Sequence, residues 1–237
     1  MANKSVWSDN RFWRRSATWV TGFASVLLIW LTFDTSAQIA MGNDQDLKDG
    51  VVKRVPGPTV INYKITYEMN SKRGHEVPVI GGNDGNGNSL FQEKEKFFGR
   101  DDWSEEEAGK LLHLGKLASQ AKNCMDCHTL LGNGAYYAPD LTKSWLDPAW
   151  GPDGTMQAMT QPYDKDGNPL PWSKEEAMAA FLQHPDQYAT HARMMPDLGI
   201  TKEEAIGLVA FLKHMSSIDT NGFPRNFGRM QGAVNGK

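Results

Sequence analysis

Cys124-Met125-Asp126-Cys127-His128 is the stretch on which the reading of this chain turns. It contains both cysteines of a 237-residue protein. Two intervening residues set the sulfurs about one helical turn apart, and a histidine follows directly. At that spacing two thiols reach the two vinyl groups of one porphyrin while the adjoining imidazole reaches its iron. A disulfide, half of a zinc site and a thioredoxin-type redox pair compete for the same pattern. Zinc lacks ligands, because there is no second cysteine pair. A thioredoxin-type pair follows a strand and opens a long helix, whereas here a helical pattern precedes the motif and a glycine-rich loop follows it. The motif therefore reads as the attachment site of one c-type haem, with Cys124 and Cys127 as thioether positions and His128 as the proximal iron ligand.

The flanking sequence agrees. Ser104-Glu105-Glu106-Glu107 is a capping box, and Ala108, Leu111, Leu112, Gly115, Ala118 and Ala121 then fall on one helical face. Thr201-Lys202-Glu203-Glu204 is a second box, followed by Ala205, Leu208, Val209, Leu212 and Met215 at the same spacing. A third, Ser173-Lys174-Glu175-Glu176, opens a helix through Ala177, Ala180 and Phe181. Helices on either side of a haem-binding sequence predict an all-α class I cytochrome c domain whose first and last helices cross. The sixth iron ligand is sought between the third box and the last: His184, His191, Met194 and Met195 are the candidates. Met195 is preferred, because it precedes Pro196 in the loop ahead of the last helix, and a thioether stabilises ferrous iron and raises the potential. His75, His113 and His214 are expected in solvent.

The remaining composition narrows the setting. Hydrophobic residues make up 40%, charged residues 22%, and the net charge is −3. That excludes a collagen, a disulfide-dense scaffold, a wholly disordered chain and a dedicated nucleic-acid binder. A mean hydropathy of −0.52 excludes a polytopic membrane protein but not a single span. Residues 16–33 carry no charge, and as a helix they would be about 27 Å long, close to the hydrocarbon thickness of a bilayer. Trp13, Trp19 and Trp30 lie towards its ends, and Lys4, Arg11, Arg14 and Arg15 precede it. The expected order is a cytoplasmic N-terminus (1–15), a transmembrane anchor (16–33), a periplasmic connector (34–100) and the haem domain (101–237). A cleaved signal peptide ending near Thr35-Ser36-Ala37 is the alternative, and it exports the same body.

In the connector, Ile61, Tyr63, Ile65 and Tyr67 alternate with polar residues, which predicts a strand. Val51–Val55 or Val77–Ile80 supplies its hairpin partner. The run from Gly81 to Asn88 is a loop, read as a flexible turn in preference to a calcium site. Asp164, Asp166, Asn168, Leu170, Trp172 and Glu175 imitate an EF-hand ligand spacing, but Pro169 stands where the sharp turn needs glycine. Asp164 to Asn168 is read as a hairpin turn instead.

Cys124 through Thr142, CMDCHTLLGNGAYYAPDLT, closely resembles the small, cytochrome-bearing chain of bacterial cytochrome-c-dependent nitric oxide reductase. The likeness continues in Gly115-Lys116-Leu117, in Trp145 through Gly151, in Ala210 through Lys213 and in Thr220 through Pro224, and the anchor is also in the family's place. The resemblance implies a membrane-anchored, single-pass monohaem electron carrier of the bacterial inner membrane, its haem domain periplasmic. Such a protein accepts electrons from a small cytochrome c or a cupredoxin. It passes them to a large polytopic subunit holding haem b, haem b3 and a non-haem iron, where nitric oxide is reduced to nitrous oxide. It is not an enzyme by itself. The resemblance also implies one calcium shared with the large subunit, bound by the backbone carbonyls of Gly134 and Tyr136. Competing readings are the anchored monohaem subunit of a haem-copper oxygen reductase and a haem c gas-binding or sensor protein. The length of residues 41–100 departs from many members of the family.

Overall fold

The computed structural model describes residues 10–41, 57–188 and 195–221. The chain divides into two compact units, Met1–Lys53 and Arg54–Lys237. In the first, α1 (Asn10–Met41) extends beyond the uncharged run at both ends, taking in Arg11, Arg14 and Arg15 on one side and Asp34 on the other. Its segment Asn10–Ala37 is long and apolar enough to cross a membrane, and none of its most apolar window is buried. A cylinder of exposed Trp, Phe, Leu and Val side chains calls for an apolar surround.

The second unit is mostly helical. It contains α2 (Glu105–Ala121), α3 (Thr155–Thr160), α4 (Lys174–Gln183) and α5 (Lys202–Ser216). All three capping boxes form: the Ser104, Ser173 and Thr201 hydroxyls each accept the N–H three residues on, and Glu107, Glu176 and Glu204 return a carboxylate to the cap N–H. Ala108, Leu112, Gly115 and Ala118 of α2 are buried, as is the whole predicted stripe of α5. Ala121 differs: at the helix end it is exposed.

The two helices meet at a pair of glycines. A Cβ on Gly115 would lie 2.0 Å from the Gly207 carbonyl oxygen, and one on Gly207 would lie 2.9 Å from the Gly115 nitrogen. Backbone therefore touches backbone at the crossing, an approach that any side chain would prevent.

Residues 57–103 add a layer to this core. The strand predicted from Ile61 begins later, as β1 (Ile65–Asn70), which pairs antiparallel with β2 (His75–Ile80) from Ile65↔Ile80 to Asn70↔His75. Val77–Ile80 is thus the partner, and Val51–Val55 lies outside the described residues. Ile61 sits instead in a short 3-10 turn, Pro58–Asn62, because Pro58 sets the turn and the Val60 N–H reaches the Gly57 carbonyl. The turn aims Val60, Ile61 and Asn62 inward. Asn62 exchanges two hydrogen bonds with the backbone of Trp103, at 2.9 and 3.0 Å, and the Trp103 indole N–H donates to the Phe97 carbonyl. Val60, Ile61, Ile65, Ile80 and Phe97 share one apolar cluster with Leu112, Trp145, Met178, Leu208 and Leu212 of the helical part.

The two acidic glycine-rich segments are turns. Asp84 accepts from the Asn86 and Asn88 N–H groups and from the Asn88 side chain, which holds its carboxyl down near 2. Asp164 is engaged in the same way by Asp166 and Asn168, and Tyr163 bridges Pro169 across that hairpin. Two histidines depart from expectation. His113 is exposed, but His75 lies 3.5 Å from Asp219 with its Nε2 buried, and His214 is held below its ordinary value by burial, its Nδ1 without a hydrogen-bond partner.

Two outcomes are expected. Gly115→Ala should destabilise the fold by about 3 kcal/mol, because the helices must separate to admit a methyl group. Gly109→Ala, whose Cβ would stand 3.9 Å from Pro58, should be tolerated; thermal unfolding of both variants checks the pair. The second outcome concerns His214, whose folded value is depressed, so the unfolded chain binds its proton first. Stability should fall as the pH drops below about 6.5, and urea midpoints for His214→Met should show a smaller loss between about pH 6.5 and pH 5.

Candidate haem site

The motif begins where α2 ends. Asn123 takes a left-handed conformation, φ 52°, which stops the helix, and asparagine tolerates that region better than most residues. Cys124–Asp126 then form a single 3-10 turn, with the Cys127 and His128 N–H groups both returning to the Cys124 carbonyl at 3.3 and 3.0 Å. The two cysteines are thereby stacked one turn apart, and the histidine leaves in the next step.

The following loop wraps the motif and ties itself to it. β3 (Thr129–Leu130) pairs with β4 (Asn133–Gly134), and the Ala135 and Ala138 N–H groups donate to the Met125 and Cys127 carbonyls at 3.0 and 2.8 Å. Gly134 is required here: its φ is 122°, and a Cβ would lie 2.2 Å from the His128 carbonyl oxygen. Asp140 closes the loop, accepting from the Thr129 hydroxyl at 2.7 Å, the Thr142 N–H at 2.7 Å and the Gly132 N–H at 3.3 Å. The Leu131 N–H donates to the Thr142 hydroxyl oxygen. The preceding residue, Pro139, presents its carbonyl to His128 Nδ1 at 2.7 Å. A carbonyl only accepts, so Nδ1 carries the proton and Nε2 keeps its lone pair.

Cys124, Met125 and His128 border a cavity of about 290 Å³, near the lower end of small-molecule sites. Its walls are overwhelmingly apolar: Leu130, Leu141 and Trp150 from the loops, Met178, Phe181 and Leu182 from α4, and Leu208, Phe211 and Leu212 from α5. Met195 lines the same space. The Met195 loop is fixed to the end of α2, where the Lys122 ammonium donates to the Leu198 and Gly199 carbonyls and approaches Glu204 at 3.5 Å. Burial pushes the Cys124 thiol up from its ordinary value, with the neighbouring Cys127 adding to the shift. A thioredoxin-type nucleophile needs the opposite displacement.

A thiol, an imidazole with a bare nitrogen and a thioether around one apolar cavity fit an iron porphyrin, which needs soft axial donors and dry walls. Cys127 stands beside Cys124 without lining the cavity. His184, a rival for the sixth position, is exposed; with Asp186 and Asp197 it brings three donor atoms within 4.8 Å of one another, away from the cavity. His191 and Met194 lie outside the described residues. Gly134 and Tyr136 are on the open side of the loop, where Tyr136 is 83% exposed and its hydroxyl donates to the Gly132 carbonyl.

Asp140 and the Pro139 carbonyl were not legible as site groups, because their roles come from a contact eleven residues away. The apolar stripes read as core alone. Leu208, Phe211 and Leu212, at i, i+3 and i+4, are the signal that separates the cavity-facing stripe of α5 from the rest.

Residues 112–216 match the cytochrome c family. Three relatives, each a nitric oxide reductase chain of the cytochrome-bearing, or C, type, align with about half of this protein. The one from Stutzerimonas stutzeri is 29% identical over 123 residues, covering 52% of this chain and 70% of its own. The one from Paracoccus denitrificans is 30% identical over 112 residues, covering 47% and 63%. The one from Halomonas halodenitrificans is 27% identical over 110 residues, covering 46% and 62%. For the latter two the match spans less than two thirds of the relative. The chain carries a cytochrome c domain, and across that domain it is similar to the C-type chain of nitric oxide reductase.

Proposed function

We propose that the chain is the membrane-anchored monohaem electron-transfer subunit of a nitric oxide reductase. The observation that carries this reading is the cavity itself, which gathers the Cys124 thiol, the His128 imidazole and the Met195 thioether within apolar walls. Cys124 and Cys127 anchor the porphyrin, His128 is its proximal ligand and Met195 its distal one. Once bound, the haem takes up and releases one electron.

The chain's own residues prepare the site. The Pro139 carbonyl holds the His128 ring by its Nδ1 proton, so that Nε2 stays aimed and basic. Phe181, Leu208 and Phe211 keep water out of the cavity, which limits solvent rearrangement as charge changes. Lys122 clamps the Met195 loop against the motif helix.

The wider arrangement belongs to the same proposal. Residues 1–15 are cytoplasmic, α1 crosses the inner membrane, and residues 34–237 lie in the periplasm, since the basic residues precede the apolar run. The body then carries a net −6, which attracts a basic electron donor such as a small cytochrome c, or a cupredoxin with a basic face. Leu131, Tyr136 and Tyr137 are 43%, 83% and 60% exposed on the loop that wraps the motif, an apolar surface suited to a large polytopic subunit holding haems b and b3. A calcium shared across that contact would take the Gly134 and Tyr136 carbonyls.

Two measurements test the reading. The oxidised protein should show the weak long-wavelength band of thioether-ligated ferric haem, and Met195→Ala should lose it and gain rapid carbon monoxide binding in the ferrous form. Survival of the band in Met195→Ala overturns the axial assignment, and fast carbon monoxide binding by the unaltered protein favours a gas-binding role. Purification from membranes in mild detergent should recover a polytopic partner carrying b-type haems; a lone monomer counts against the assembly.

A further inference from the structure

Behind the inner wall of the cavity lies a group of charges that electron transfer alone does not require. Trp145, 2% exposed, has an ammonium near each of two approaches: Lys174 Nζ at 4.4 Å from the ring centroid and Lys213 Nζ at 4.7 Å. Lys213 is fully buried, pairs with Glu95 at 2.6 Å and also lies over Phe97 at 5.3 Å. Glu175, 6% exposed, accepts the Phe98 N–H at 3.0 Å. Two lysines and two glutamates are thus gathered around one indole, with Glu95 and Phe97 contributed by the layer of residues 57–103.

These groups are one step from the cavity. Lys213 follows Leu212, Trp145 follows Ser144, and Lys174 is one helical turn before Met178; Leu212, Ser144 and Met178 all line the cavity. One turn of helix is about 5.4 Å, so the Lys174 backbone is separated from the wall by roughly that length. A charge change in the cavity acts on the cluster through apolar protein, where it is screened far less than in water.

The two lysines differ in how they are held. Lys213 has a carboxylate in direct contact, which keeps it cationic. Lys174 rests on the indole face, and its carboxylates act through space: Glu95 from the insert, Asp147 after the turn at 144–146, and Glu175 on its own helix. Burial lowers Lys174 to about 8; Lys213 from α5 pushes the same way and the three carboxylates oppose. Burial likewise lowers Lys213 and raises Glu175.

We propose that Lys174, seated on Trp145 beside Lys213, is a proton-binding site whose occupancy is coupled to the oxidation state of the haem. The proposal rests on the haem reading of the cavity. In the oxidised site the extra positive charge favours the neutral amine. When an external one-electron donor reduces the site, that charge is cancelled, and a proton from water converts the Lys174 –NH2 to –NH3+ in the molecules that lacked it. The reverse step releases the electron to the acceptor and the proton to water. Lys174 is a positioning residue in this scheme, acting on the potential through the field and touching no reacting atom.

The test is a spectroelectrochemical titration of the full-length, haem-loaded protein in detergent micelles, from about pH 6 to about pH 10. The midpoint potential of the unaltered protein should fall as the pH rises through the region near 8 and level off above it. Lys174→Met should flatten the profile at the lower level, because the cation is gone. Lys174→Arg should flatten it at the upper level, because the cation is permanent; this variant keeps the charge and decides the matter even where Lys174→Met fails to fold. A flat profile in the unaltered protein, or the same fall persisting in both variants, overturns the proposal. A chain without covalently attached haem overturns the reading of the cavity and this proposal with it, whereas a haem protein with a flat profile overturns the proposal alone.

Discussion

The contact between Gly115 and Gly207 sets the geometry on which the site depends. Two helices that touch through backbone cannot slide or rotate without losing the contact, so the crossing fixes both the angle and the register of α2 and α5. From that point α2 runs two turns to the motif, and α5 begins a turn and a half earlier, at the end of the Met195 loop. The cavity residues Leu208, Phe211 and Leu212 follow Gly207 on the same helix. The haem-binding thiols and the distal methionine come from segments about seventy residues apart, and the crossing brings them to one space. Lys122, bonded to the Leu198 and Gly199 carbonyls, reinforces the junction from outside.

Around the motif, polar groups serve to fix shape. Met125, Cys127, Thr129 and Pro139 each give a carbonyl to a partner in or beside the wrapping loop, and Asp140 gathers three donors. A loop of this length without regular structure would otherwise leave buried N–H groups without acceptors. The same bonds fix the side on which His128 presents its bare nitrogen. Local order and ligand orientation are therefore consequences of one hydrogen-bond pattern, and Tyr136 and Tyr137 are left on the outside of the loop.

What was legible in the sequence was local. Capping boxes, the three- and four-residue spacing of apolar positions and the two-cysteine motif all act within a few residues, and each appears where it was expected. Ile61 shows the limit: its alternation with Tyr63 and Ile65 read as strand, but the proline two residues before Val60 imposed a turn first. His214 shows another, since a histidine late in a helix reads as solvated until a neighbouring layer covers it. Gly207 looked like an ordinary helical glycine, and its importance arises only from the helix opposite. Met195 could be placed by its loop and its proline, whereas the lining of α4 needed the fold. Residues 57–103 looked like a connector because their strand and turns are polar on one side; their apolar side is matched only by helices far along the chain.

That layer has a consequence for how related chains are compared. Glu95 and Phe97 enclose a lysine more than a hundred residues away, and without them Lys213 would face water and lose its carboxylate. The insert and position 213 are therefore a single inherited character: a chain without the former has no physical reason to retain a lysine at the latter. The presence of that lysine in an alignment would then indicate the extra layer even where its own sequence has diverged too far to align.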